Sequence, residues 1–137
     1  MVPTFQNGQY LIIDELSYRL RAPERGEVIV FKYPNDPSQK YIKRMIGMPS
    51  ETLEIKDGEV FINGKQLNES SYFQNEIITT GNIKITLGEN EYFVLGDNRP
   101  ASSDSRVWGV VPKENIIGRV ALRAWPFDAF SAPFYQN

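Results

Sequence analysis

Short runs rich in valine, isoleucine, tyrosine and phenylalanine recur along the chain, separated by glycine, proline, asparagine and aspartate. That punctuation is the pattern of an all-β domain. The runs cover 10–14, 28–33, 40–47, 52–56, 59–62, 83–87, 91–95 and 117–124. Asp57-Gly58 and Asn63-Gly64 lie between or beside such runs, and these dipeptides favour two-residue hairpin turns, so 56–65 is predicted to be a hairpin. Nothing has the period of a long amphipathic helix. Ser17 to Leu20 and Pro112 to Asn115 each read as one short helical turn. The interval 66–90 is more polar and less regular than its flanks and is expected to leave the main core.

A length of 137 residues with 41% hydrophobic content suits one packed core, so 1–137 is read as a single domain. Fifteen basic against seventeen acidic residues leave a net charge of −2, which argues against a nucleic-acid partner. The chain has neither histidine nor cysteine. A Ser/His/Asp triad, a thiol nucleophile and the usual zinc site are thereby excluded, and no metal or other cofactor is expected. Hydrolytic chemistry would have to draw on Lys, Asp, Glu or Tyr. No stretch approaches the roughly 20 apolar residues that cross a bilayer, and residues 1–9 lack the basic and apolar regions of a signal peptide. The chain as written is expected to be soluble.

Two segments could carry chemistry. In Tyr41-Ile42-Lys43-Arg44-Met45-Ile46-Gly47, strand alternation puts Tyr41, Lys43 and Met45 on one face and Ile42, Arg44 and Ile46 on the other. An amine held between an aromatic ring and a thioether loses solvation of its charged form. Its pKa then falls from about 10.4 toward the 7 to 8 range of a general base. A fall of about three pH units costs roughly 4 kcal/mol, which proteins seldom carry without a functional return. The ordinary alternative is a lysine that snorkels to solvent.

The second segment is the polar loop 96–106, Gly-Asp-Asn-Arg-Pro-Ala-Ser-Ser-Asp-Ser-Arg. Loops of this composition are often simple turns, because Asp, Asn and Ser bond nearby backbone amides. The two acids and two arginines also suit an ion-pair frame. The loop lacks the regular ligand spacing of a calcium site. A glycosidase-like pair of Asp97 and Asp104 is disfavoured, since arginines so close would leave neither carboxyl as a general acid. Arg19, Arg21 and Arg25 are diluted by Glu15, Glu24 and Glu27 and read as mixed surface rather than as a phosphate patch.

Taken in order, these segments resemble the bacterial type I signal peptidase family over nearly the whole chain. Met1-Val2-Pro3-Thr4-Phe5 is similar to the stretch that follows the nucleophile in the family's S-M-x-P-T motif. Arg25 to Phe31 resembles its R-G-D-[IV]-V-V-F strand, Lys43 to Pro49 its K-R-[VI]-[IV]-G-[LM]-P segment, and Gly96 to Arg106 its G-D-N-R-x-x-S-x-D-S-R loop. The resemblance implies a mainly antiparallel β-sheet, partly open barrel core with a cap inserted at about 66–90. It also implies a serine hydroxyl deprotonated by Lys43, attack on the carbonyl at a signal-peptide cleavage site, and an acyl-enzyme hydrolysed by water. Ser102 matches the serine that orients the lysine. Arg44 with Asp97, and Asp104 with Arg106, match ion pairs that brace the site. Met1, Pro3, Tyr41 and Ile42 match walls of the shallow pockets for small substrate residues.

The family's nucleophile directly precedes the methionine aligned with Met1, so the nucleophile, the membrane anchor and the upstream oxyanion-hole donors are not expected within these 137 residues. The chain alone is expected to be inactive, as a truncated peptidase rather than as an inactive paralogue that binds signal peptides. Its parent would sit at the outer face of the cytoplasmic membrane, with signal peptides of exported pre-proteins as partners. The aromatic tail, with Trp125, Phe127, Phe130, Phe134 and Tyr135, could contact a lipid interface, although Trp125 and Phe127 are expected to pack on the sheet. Pro100 departs from the acidic or polar residue common at its position in the family and should stiffen the loop. A self-cleaving repressor-type Ser/Lys protease is the nearest enzymatic rival, but no DNA-binding or cleavage segment is apparent.

Overall fold

The computed structural model describes the backbone of residues 10–124 and 135–136. Two antiparallel sheets make up the domain, and neither closes into a barrel. The larger contains β1 (Tyr10–Asp14), β2 (Val28–Tyr33), β3 (Asp36–Gly47), β8 (Glu91–Leu95), β9 (Val111–Pro112) and β10 (Ile116–Ala124), in the order β1-β10-β2-β3-β8-β9. A two-residue strand, β11 (Tyr135–Gln136), lies parallel to β3 at Tyr41 and Ile42. The smaller sheet has the order β6-β5-β4-β7, from β4 (Thr52–Lys56), β5 (Glu59–Ile62), β6 (Lys65–Gln66) and β7 (Ile83–Thr86). β4 and β5 therefore join the excursion, which takes in more than 66–90.

Both predicted turn dipeptides adopt the left-handed backbone that a tight hairpin needs: Asp57 and Gly58 have φ of 53° and 80°, Asn63 and Gly64 of 51° and 84°. The strands match the predicted runs closely. β3 starts four residues earlier than the hydrophobic pattern shows, because Pro37, Ser38 and Gln39 extend it with polar positions. The Asp36 carboxylate stabilises that start by accepting from the Ser38 amide and hydroxyl at 3.2 and 2.6 Å. A second short helix, α2 (Ser105–Trp108), follows α1 (Ser17–Leu20). The loop composition concealed it because one helical turn has no periodicity. Asp104 caps its N-terminus by accepting from the Arg106 amide, and Gly109, at φ of 92°, follows its end.

β3 is the strand on which the site depends. Ile42 to Gly47 are all buried, because the strand is covered on both faces. Met45 packs with Ile29, Phe31, Tyr92, Val94 and Val111, while Ile46 packs with Leu53, Ile55, Val60, Leu87, Phe93 and Leu95 between the sheets. Ile42 is paired with Val30 in a third cluster. A strand this enclosed leaves any polar side chain near its centre to find partners within the protein.

Gly118 on β10 shows how closely the large sheet is packed. A Cβ there would lie 2.6 Å from the Asp14 carbonyl oxygen, a backbone atom that cannot swing aside. Gly118→Ala should therefore cost about 1–3 kcal/mol of unfolding free energy. Urea denaturation checks this; an unchanged midpoint would show that β1 and β10 are looser than the structure indicates.

Candidate active site

Lys43 lies near the centre of the buried run, opposite Ile29 of β2, and is 1% exposed. Its Nζ donates to Ser102 Oγ at 3.3 Å, the long end of hydrogen-bond range, and stands 5.9 Å from the centroid of the Tyr41 ring. Tyr41 is stacked on Tyr33 at 4.5 Å and meets Phe31 and Trp108 edge-on, so the apolar side of the amine's enclosure is an aromatic cluster. Met45 belongs to that same cluster of residues, as strand alternation predicts.

Burial pushes the Lys43 amine down from 10.5 to about 8. The carboxylates of Asp104 and Asp97 pull it upward and Arg106 pushes it further down, but burial is the largest influence. Each aspartate is held by an arginine. Arg44 donates Nε and Nη2 to the two oxygens of Asp97 at 2.9 and 2.8 Å, a bidentate pair, and its third nitrogen donates to the Gly26 carbonyl at 2.8 Å. Asp104, fully buried, accepts from Arg106 Nε and Nη2 at 2.9 and 2.8 Å and from the amide of Gly96 at 3.0 Å. The predicted partnerships Arg44 with Asp97, Asp104 with Arg106 and Lys43 with Ser102 all form.

Ser105 adds a brace of its own, its hydroxyl accepting from the Val94 amide of β8 at 2.9 Å. The loop 96–106 is thus anchored on both sides of Ser102. The predicted pocket walls divide. Tyr41 is partly exposed beside the amine, Ile42 is fully buried against Val30, and Met1 and Pro3 lie outside the described residues. Trp125, Phe127 and Phe130 also lie outside them. Arg21 and Arg25 pair with Glu27 and Glu51 at 2.7 and 2.6 Å, as expected of a mixed surface. No metal-binding cluster of acidic residues occurs among the described residues.

Sequence reasoning missed the covering of this frame. Arg44 lies 4.5 Å from the Tyr72 ring centroid and 5.5 Å from that of Phe73, and Arg99 lies 5.5 Å from Phe73. The adjacent aromatics Tyr72-Phe73, set in an otherwise polar stretch, were the available signal.

Two stability measurements test this geometry. Below pH 8 the folded and unfolded chains both protonate Lys43, so the full cost of a buried ammonium is present. As pH rises from about 8 to 10.5 the folded amine is neutral while the unfolded one remains charged, and the cost disappears. Lys43→Met should accordingly stabilise the fold by up to about 3 kcal/mol at pH 6.5 and by much less above pH 10.5, as read by urea denaturation. Asp97→Ala should destabilise by about 3–5 kcal/mol, since it leaves the Arg44 guanidinium buried without its counter-charge. A loss below about 1 kcal/mol in the same assay would contradict the pairing.

The comparisons with known proteins identify the family. A family model described as "Signal peptidase, peptidase S26" matches residues 1–125. The probable signal peptidase I-2 of Synechocystis sp. is 42% identical over 132 residues, an alignment that covers 92% of this chain and 59% of that protein. The signal peptidase I of Leptolyngbya laminosa is 40% identical, with 93% of this chain and 66% of that protein covered. The chain thus spans about three-fifths to two-thirds of the length of these curated relatives. The crystal structure of a signal peptidase I from Enterococcus faecalis V583 superposes with a TM-score of 0.63 at 34% identity, over 74% of this chain and 98% of that one. The family model over residues 1–125, with the identity to these relatives and the shared fold, shows that the chain belongs to the signal peptidase family, peptidase S26.

Proposed function

We propose that the chain is the base-bearing part of a serine endopeptidase that removes signal peptides from exported pre-proteins by a Ser/Lys mechanism. The observation that carries this reading is the buried Lys43 amine, lowered to about 8 and 3.3 Å from Ser102 Oγ. An amine poised near neutral pH keeps a lone pair available to a hydroxyl proton, which an ordinary surface lysine does not.

In the proposed cycle, neutral Lys43 takes the proton of the nucleophilic serine as its oxygen attacks the scissile carbonyl. The resulting ammonium returns that proton to the departing amine, which leaves an ester between serine and the signal-peptide fragment. Lys43, neutral again, deprotonates a water that hydrolyses the ester. Ser102 accepts one N–H of the amine and so directs the lone pair. Arg44, Asp97, Asp104 and Arg106 hold the loop and strand in register, and Tyr41 forms one wall for a small substrate side chain. In the family resemblance the nucleophilic serine directly precedes the residue aligned with Met1, and Lys43 is proposed as its base.

The proposed site of action is the outer face of the cytoplasmic membrane, with the aromatic tail as its lipid contact. Among the described residues, no helix is long and apolar enough to cross a membrane.

To test the reading, this chain is joined after a serine and the preceding segment of a relative, and the product is given a pre-protein. Cleavage is expected, rising with pH through about 8 as Lys43 loses its proton. Lys43→Ala should lower kcat/KM by about 10²–10⁴-fold. Ser102→Ala should lower kcat with little effect on KM. Undiminished cleavage by Lys43→Ala would remove Lys43 from the mechanism.

A further inference from the structure

Arg99 is the largest fully buried side chain among the described residues, and its guanidinium reaches into the inserted segment. Its Nη1 and Nη2 donate to the two carboxylate oxygens of Glu69 at 3.1 and 2.6 Å, and Nη1 also donates to the Thr79 hydroxyl at 2.7 Å. Its remaining nitrogen donates to the Gly96 carbonyl at 2.8 Å, at the start of its own loop. Thr79 is in turn fixed to the hairpin of the small sheet, its amide donating to the Gly58 carbonyl at 2.8 Å. Three residues beyond Arg99 stands Ser102, and two beyond that the fully buried Asp104.

We propose that Glu69 is a positioning residue: by its two-pronged grip on Arg99 it anchors the cap to the 96–106 loop and so holds Ser102 against Lys43. The inference rests on the reading of Lys43 as the base and extends it to the inserted segment, which then has a part in the site besides covering it. Arg106 reinforces the link, donating to the Thr80 carbonyl at 2.9 Å and to the Arg99 carbonyl at 2.8 Å. Arg99 and Arg106, on either side of the serine, therefore both reach the cap, in addition to the anchors on β3 and β8. Without Glu69, Arg99 would be a buried cation deprived of its counter-charge, and the turn 99–101 would have to move to rehydrate it.

The sign of one measurement separates positioning from simple electrostatics. Among the described residues, the charged groups that act on the amine are Asp104, Asp97 and Arg106. Removing one more carboxylate elsewhere in the protein can only make the Lys43 ammonium less favourable and lower its pKa. Releasing the Ser102 loop instead admits water to the amine and raises the pKa toward its ordinary value.

The titration of Lys43 is followed by NMR of chains carrying ¹³C-labelled lysine, assigned by Lys43→Arg, in the unaltered protein, Glu69→Ala, Glu69→Gln and Glu76→Gln. Glu76 is an exposed carboxylate of the same segment and serves as the charge control. Expected is an upward move of about one pH unit in Glu69→Ala, a tenfold change in proton affinity, with a smaller rise in Glu69→Gln and none in Glu76→Gln. All variants should keep a cooperative thermal transition. A midpoint that is unmoved or lowered in folded Glu69→Ala overturns the proposal, as does loss of folding in both Glu69 variants, which would make Glu69 a folding residue only. A midpoint near 10.5 in the unaltered chain would instead overturn the assignment of Lys43 as base.

Discussion

The withdrawal of one lysine amine from water is the constraint on which the rest of the structure depends. Lys43 sits in a strand whose neighbours are buried on both faces, and its side chain is itself buried. Removing hydration from a cation is costly enough that the proton becomes the negotiable part. A penalty of about 3 kcal/mol is a large share of the 5–15 kcal/mol by which a domain is usually stable. The fold tolerates it because the clusters on either side of β3 are extensive and interlock with both sheets.

Asp97 and Asp104 both favour the ammonium, and Arg106 opposes it, but burial is the largest influence. Arg44 and Arg106 take the two carboxylates into short bidentate pairs. The same pairs supply mechanical definition. Arg44 adjoins Lys43 on β3, and Asp97 and Asp104 flank Ser102 on the loop, so one set of bonds fixes both the strand and the serine that faces it. The aromatic rings of Tyr72 and Phe73 then cover the Arg44 guanidinium, shielding its pair with Asp97.

Much of this was legible along the chain, and the reasons are local. Asp57-Gly58 and Asn63-Gly64 specify hairpins through their own backbone preferences, and β2, β4, β5 and β8 follow a two-residue or continuous apolar pattern that needs no distant information. Strand alternation placed Tyr41, Lys43 and Met45 together. The meeting of Lys43 with Ser102, 59 residues apart, came from the family resemblance and not from any periodicity. What stayed hidden was long-range or very short. Glu69 and Arg99 are 30 residues apart, with Glu69 in a stretch of unremarkable polarity. α2 is one turn long, and β3 begins in polar residues beside a proline. The recruitment of β4 and β5 into the small sheet depends on the pairing of β4 with the distant β7, which hydrophobic pattern does not encode.

The central claim is that Lys43 is neutral in the folded protein at pH values where other lysines are charged. The most direct test is the pH dependence of its ¹³Cε chemical shift in the unaltered 137-residue chain. The account predicts a midpoint near 8, well below the ordinary lysine value of about 10.4, and a return to that value when urea unfolds the chain. A Lys43 signal that titrates together with the exposed lysines in the folded chain would contradict it.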